Sequence, residues 1–181
     1  DLLAGATASA AVGDAELHGE LAAFRAPEDL PVPAPWARVA LKAVAGGSFR
    51  LAVGNGVPVV LEYHYSGYGA ERAEDLPALL ADPQFVVRYQ RGDFQILGKH
   101  ALALLASYEQ SPELSWSLLA LVNPADGSGI VAPTVRFDLG DRLTVTATVY
   151  LPWGTPPSGG VPGSMYGTAP LAGLVQVRVY D

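Results

Sequence analysis

The sequence predicts an all-β fold: an antiparallel up-and-down transmembrane β-barrel, or the C-terminal part of one, with about nine strands in this chain. Three observations carry that expectation. Apolar and polar residues alternate with period two over runs about as long as a tilted membrane-spanning strand. The connections between runs alternate between short and long. Large aromatic residues fall near the ends of the runs, on the apolar side.

In chain order, residues 2–12 alternate weakly, Gly13-Asp14 is a turn, and residues 15–25 place Glu16, His18 and Glu20 on one face. Residues 26–36 hold four prolines and read as a loop. The longest run is 37–53, with Arg38, Lys42 and Arg50 on its polar face, and Asn55-Gly56 marks a hairpin. Residues 57–67 return, with Glu62 and His64 facing one way and Leu61, Tyr63 and Tyr65 the other. Residues 68–93 form a long external loop in which 73–82 reads as a short helix, opened by acidic residues and stopped at Asp82-Pro83. Within the same loop, residues 85–89 (FVVRY) read as a possible extra strand.

The second half repeats the pattern. Strands are expected over 98–109 and 114–123, joined by a turn at Ser111-Pro112-Glu113, and over 130–139 and 143–153, joined by Gly140-Asp141-Arg142. Residues 124–129 and 154–169 are loops, and 171–181 is the last strand. Pro133 removes one ladder hydrogen bond in mid-strand, which a bulge would absorb, and Gly46-Gly47 inside a strand points to a bend or bulge.

Composition narrows the class further. The chain has 181 residues, 50% hydrophobic and 16% charged, against about 25% charged for an ordinary soluble domain. Mean hydropathy is +0.24, yet no run of eighteen apolar residues supplies a membrane-spanning helix. That combination suits a membrane barrel, in which only every second residue is greasy. A net charge of −7 argues against a nucleic-acid partner, and the absence of cysteine removes disulfides, thiolate metal sites and thiol nucleophiles. No cofactor is implied. Residues 1–181 read as one domain, and an odd strand count, with the first strand starting at the long-loop rim, predicts at least one further strand upstream. Pairing 85–89 with 94–109 instead gives ten strands and moves the 154–169 loop to the inside.

If the short turns share one rim, Phe49, Tyr108, Trp116 and Phe137 lie near it, and Tyr65 and Trp153 near the other; all six fall on the apolar side. Two such belts are what the two lipid interfaces select. The whole chain, and above all LEYHYSGYG, the run from Ser107 to Gly154 and the closing strand, resembles bacterial outer-membrane β-barrels of the porin-like kind. The resemblance implies a location in the bacterial outer membrane and contact with outer-membrane lipid. It further implies insertion by the barrel-assembly machinery, and passage of small polar solutes. Such barrels end in an aromatic residue, whereas here Tyr180 is penultimate and Asp181 last.

In that setting Glu16, His18, Glu20, Arg38, Lys42, Arg50, Glu62, His64, Glu109, Arg136, Asp138 and Arg178 line the lumen. Arg38, Lys42 and Arg50 are expected to form a basic ladder facing Glu62 on one neighbouring strand and Glu16 and Glu20 on the other. Glu16, His18 and Glu20 lie about 7 Å apart along one face, too far to share a metal. His64-Tyr65-Ser66 resembles the His-x-Ser element of outer-membrane lipid A deacylases, but lacks the following Asn and has only Glu71 or Glu74 as acid partner. The chain is therefore not expected to be an enzyme. A plugged structural barrel with binding loops, and a soluble carbohydrate- or lipid-binding β-sandwich, are the competing readings.

Overall fold

The computed structural model describes residues 2–25, 39–92 and 96–180. Its strands are β1 (Leu2–Val12), β2 (Ala15–Arg25), β3 (Val39–Leu51), β4 (Val57–Ser66), β5 (His100–Ser111), β6 (Leu114–Val122), β7 (Gly129–Leu139), β8 (Leu143–Trp153) and β9 (Ala172–Val179). They form one nine-stranded sheet in sequence order, every neighbouring pair antiparallel. The sheet is open: among the described residues the outer edges of β1 and β9 have no partner strand. No second sheet covers it, so the sandwich alternative has no counterpart among the described strands.

Short and long connections sort to opposite ends, as the sequence predicts. The β1–β2 turn is Gly13-Asp14, closed by the pair Val12↔Ala15. Gly13 adopts φ +62°, which a residue with a Cβ rarely tolerates and a two-residue hairpin requires. Residues 112–113 and 140–142 serve the same end, whereas 67–99 and 154–171 serve the other.

Two expected irregularities are absent. Pairs run without a shift through Gly46 and Gly47 on both sides of β3. At Pro133 the β7–β8 ladder lapses between Val131↔Leu151 and Thr134↔Thr148, then resumes in the same register, so no bulge forms. The hydroxyls of Thr134 and Thr148, 2.8 Å apart, stitch the strands where pairing resumes. The bulge that does occur lies near a strand end, at Glu109/Ser111 of β5.

The β4–β5 connection corrects the expected extra strand at 85–89. After a 3-10 turn at Ala73–Asp75 come two helices, α1 (Leu76–Leu80) and α2 (Pro83–Gln90), and FVVRY lies inside α2. Proline suits a helix's first turn, where its missing N–H is not needed. The ten-strand alternative therefore fails. The bases of this insert clasp each other through Ala70 N to Leu97 O (2.7 Å) and Lys99 N to Ala70 O (2.9 Å).

The insert folds onto one face of the sheet. Tyr68 and Phe85 are buried against Ala40, with Phe24, Leu79 and Leu97 around them. Phe24 meets Tyr68 edge to face at 5.7 Å. The Arg88 guanidinium lies 5.1 Å from the Tyr68 ring and donates to its hydroxyl at 3.1 Å, so a buried cation is both stacked and hydrogen-bonded. Phe24 and Ala40 share a face with Lys42, Glu62 and His64. The insert thus sits on the polar side.

A second junction ties the other long-end loops together. Asp126 accepts from the Ser128 amide and hydroxyl (2.9 and 2.6 Å) and from the Met165 amide (2.7 Å), while the Tyr166 amide donates to the Ser128 hydroxyl at 3.1 Å. Partial burial pushes the Asp126 carboxyl up, but the Ser128 hydroxyl and these amides outweigh it and hold its pKa below the usual value. A lowered folded-state pKa stabilises above the unfolded value and is lost as pH falls through the folded one. The junction is therefore expected to be intact above the ordinary aspartate value near 3.8 and to open below it. Protection of the Met165 and Tyr166 amides, measured as exchange relative to the intrinsic rate at each pH, should fall on acidification below that value, and Asp126→Asn should show the lower protection already at neutral pH.

Candidate functional site on the polar face

The register assigns every strand residue to one of two faces. One face carries Leu41, Leu61, Leu104, Leu118, Val135, Val145 and Val177 across successive strands. All six predicted aromatics lie on it. Phe49, Tyr108, Trp116 and Phe137 sit toward the short-turn end, Tyr65 and Trp153 toward the long-loop end. Among the described residues no element covers this face: Phe49, Trp116, Phe137 and Trp153 each expose 41–46% of their surface. The two indoles turn their N–H groups to polar partners at the strand ends, Trp116 to Gln110 Oε1 (3.0 Å) and Trp153 to Gly127 O (2.9 Å). His100 also lies on this face, its Nδ1 2.6 Å from the Tyr63 hydroxyl and its ring 5.5 Å from that of Tyr65. Sequence reasoning had left His100 without a role; its parity with Leu102 and Leu104 was the available signal.

The opposite face carries Glu16, His18, Glu20, Lys42, Arg50, Glu62, His64, Glu109, Arg136, Asp138 and Arg178. Arg38 lies outside the described residues. The centre of this face is Glu62. One carboxylate oxygen is 3.0 Å from His18 Nε2 and the other 2.8 Å from His64 Nε2. His18 belongs to β2 and Glu62 to β4, so the imidazole reaches across β3. It does so over Gly46, which pairs with both His18 and Glu62. A Cβ there would lie 2.7 Å from Leu61 O, 2.8 Å from Glu62 Cγ and 3.0 Å from His18 Nε2. The glycine that read as a bend is the gap through which the bridge passes.

This arrangement corrects the expected basic ladder. Glycine, not a cation, stands opposite Glu62, and histidines take its oxygens. Lys42 lies over the Phe24 ring at 5.8 Å, and Arg50 reaches Asn55 O at 3.4 Å. Farther along, Arg136 grips Asp138 at 3.1–3.2 Å and Thr144 donates to the same carboxylate at 2.5 Å. Glu16 and Glu20 do not join His18, and among the described residues no group of three acidic or histidine side chains is placed to hold a metal. His64 is engaged by Glu62, while Ser66 is buried and its hydroxyl finds no hydrogen-bond partner among the described residues. Glu71 is paired with Lys99: the hydrogen bond between them and the opposite charge of each partner hold the Glu71 carboxyl below and the Lys99 ammonium above their ordinary pKa values. Glu74 is paired with Arg72 at 2.5 Å.

The polar face is graded along the strands, which the sequence expectations missed. Toward the short turns it carries Glu16, Ser48, Ser115, Ser117, Asp138 and Arg178. Toward the long loops it carries Leu3, Phe24, Ala40, Ala101, Leu121 and Ile130. Lys42, His64 and Ser66 interrupt that apolar half as a cluster on β3 and β4, where Lys42 pairs with Ser66 and Val44 with His64. A cavity of about 780 Å³ lies there, bounded by β1–β6 residues and by Gly92 and Ile96 of the insert.

No protein-family model, curated protein or solved structure matches the chain. Among the described residues no helix is long and apolar enough to cross a membrane, which leaves strands untouched as a means of crossing.

Gly46→Ala is expected to lower stability by about 1–3 kcal/mol, the usual range for overpacking. Gly19→Ala, on the other face with Val44 O as nearest atom at 3.7 Å, should be tolerated. Thermal unfolding of the two variants followed by circular dichroism checks this; equal melting temperatures would remove the steric role given to Gly46.

Proposed function

We propose that the chain forms the sheet of a bacterial outer-membrane β-barrel, with the apolar face toward lipid and the polar face toward a lumen that passes small polar solutes. One observation carries this reading: among the described residues a nine-stranded sheet leaves its apolar face bare while folding its helical insert onto the polar face. A water-soluble sheet gains its stability by burying the apolar side. Aromatic residues toward both rims of that side, with indole N–H groups turned to polar partners, are the pattern lipid interfaces favour. Strands of 8–13 residues match the length that spans a bilayer when tilted. Long loops at one end and tight turns at the other fit external and periplasmic rims. In this reading the edges of β1 and β9 are satisfied by each other or by further strands, because an unpaired edge is not tolerated in lipid.

A plugged barrel with binding loops is the second reading, favoured by the seat of α1 and α2 on the polar face. Barrel proteins of either kind need outer-membrane lipid and the assembly machinery as partners. Planar-bilayer conductance of the full-length protein separates them, since a plugged lumen passes no steady current. The face assignment has its own test. Val149→Lys is expected to cost about 2–4 kcal/mol at mid-membrane depth, and Thr146→Lys much less. The readout is the fraction of protein showing heat-modifiable gel migration after assembly; equal loss on both faces would refute the barrel.

A further inference from the structure

We infer that His18, Glu62 and His64 set which ions the lumen passes, favouring cations while both imidazoles are neutral and anions once both carry a proton. Selectivity of this kind rests on the pore proposed above. The Glu62 carboxylate can only accept hydrogen bonds, so the two ring nitrogens that reach it, His18 Nε2 at 3.0 Å and His64 Nε2 at 2.8 Å, both donate. A further proton therefore adds at Nδ1 of each ring. Among the described residues neither Nδ1 has a hydrogen-bond partner, so proton uptake breaks no contact. It keeps the bridge over Gly46 and makes each half of it an ion pair. The three side chains retain 26–32% of their surface exposed, so their charge meets the water and ions beside them. The bridge changes charge without changing shape.

The surroundings decide the sign. On β2, Glu16 and Glu20 flank His18 on the same face, each about 7 Å away along the strand. On β3, Lys42 and Arg50 stand on either side of Gly46, each about 13 Å along the strand. β4 adds only Glu62 and His64, and the residues of β1 and β5 paired with these positions carry no charge. The insert's Arg88 is turned to Tyr68. Three carboxylates against two cations leave one negative charge in excess around the bridge. Two added protons turn it into one positive charge. At an ionic strength of about 0.1 M a charge acts over about 10 Å, far enough to be felt by an ion passing the bridge. Imidazole is the side chain that changes charge between about pH 5 and pH 8, while carboxylates lose theirs only at lower pH. The third histidine of the chain, His100, lies on the apolar face beside Tyr65.

The full-length protein in planar bilayers, under a gradient of potassium chloride around 0.1 M, gives the potassium-to-chloride permeability ratio from its reversal potential. Between about pH 8 and about pH 5.5 that ratio is expected to fall at least about threefold, with the conductance held within about twofold. His18→Gln and His64→Gln, which keep a donor toward Glu62 but take up no proton, should each retain about half of the fall, and the double variant none. His100→Gln should retain all of it. Glu62→Gln should lower the ratio at both pH values. A ratio unchanged by pH in a conducting wild-type pore overturns the inference and leaves the pore reading standing. So does a fall that survives undiminished in both single variants, or a pore that closes on acidification, since that is a gate and not a change of charge. Absence of conductance at either pH defeats the pore reading and the inference together.

Discussion

The antiparallel register governs both faces of this sheet, because side chains alternate with period two and a slip of one residue exchanges the faces. Eight ladders hold nine strands in sequence order, and through their central parts no shift reverses the parity. The shift at Glu109/Ser111 lies beside a tight turn, where it changes only the tip of β5. Even Pro133, which cannot donate to a ladder, leaves the register of β7 and β8 unchanged. A continuous apolar side, and a continuous polar one, exist only because every ladder keeps step.

Given that register, the polar side becomes a set of particular partnerships. Glu62 accepts two imidazoles because Gly46 leaves a gap above β3. Asp138 is held by Arg136 along its own strand and by Thr144 across the next. In the other half, aromatic and aliphatic residues of the insert replace such pairs, and the Arg88 guanidinium is accommodated by stacking on Tyr68. Polar bridges thus hold one end of this side and apolar packing the other.

Much of this was legible in the sequence. Strand positions, the sorting of loops and the common side of the six aromatics follow from period-two alternation and turn residues, which are local signals. The helix at Pro83–Gln90 was missed because Phe85, Val86, Val87 and Tyr89 favour strands locally, while burial of Phe85 against Tyr68 and Ala40 decides otherwise. Histidines on Glu62 replaced the expected cations because alternation gives the face of a residue but not which residue stands opposite it. The apolar half of the polar side was overlooked for a related reason. Leu3, Ala101 and Leu121 lie far apart in the chain, and only the ladders bring them to one level.

Among the described residues the outer edges of β1 and β9 have no partner strand, and this bears on how copies of the chain meet in water. Each presents a row of amides and carbonyls without a partner strand among the described residues, beside side chains that are exposed along the whole strand. In water, copies meeting edge to edge would extend the sheet from one molecule into the next, and the bare apolar side would reinforce the stack. Such an edge is satisfied only when another strand pairs with it, so low concentration or prompt pairing of the edges is what keeps copies of this chain apart.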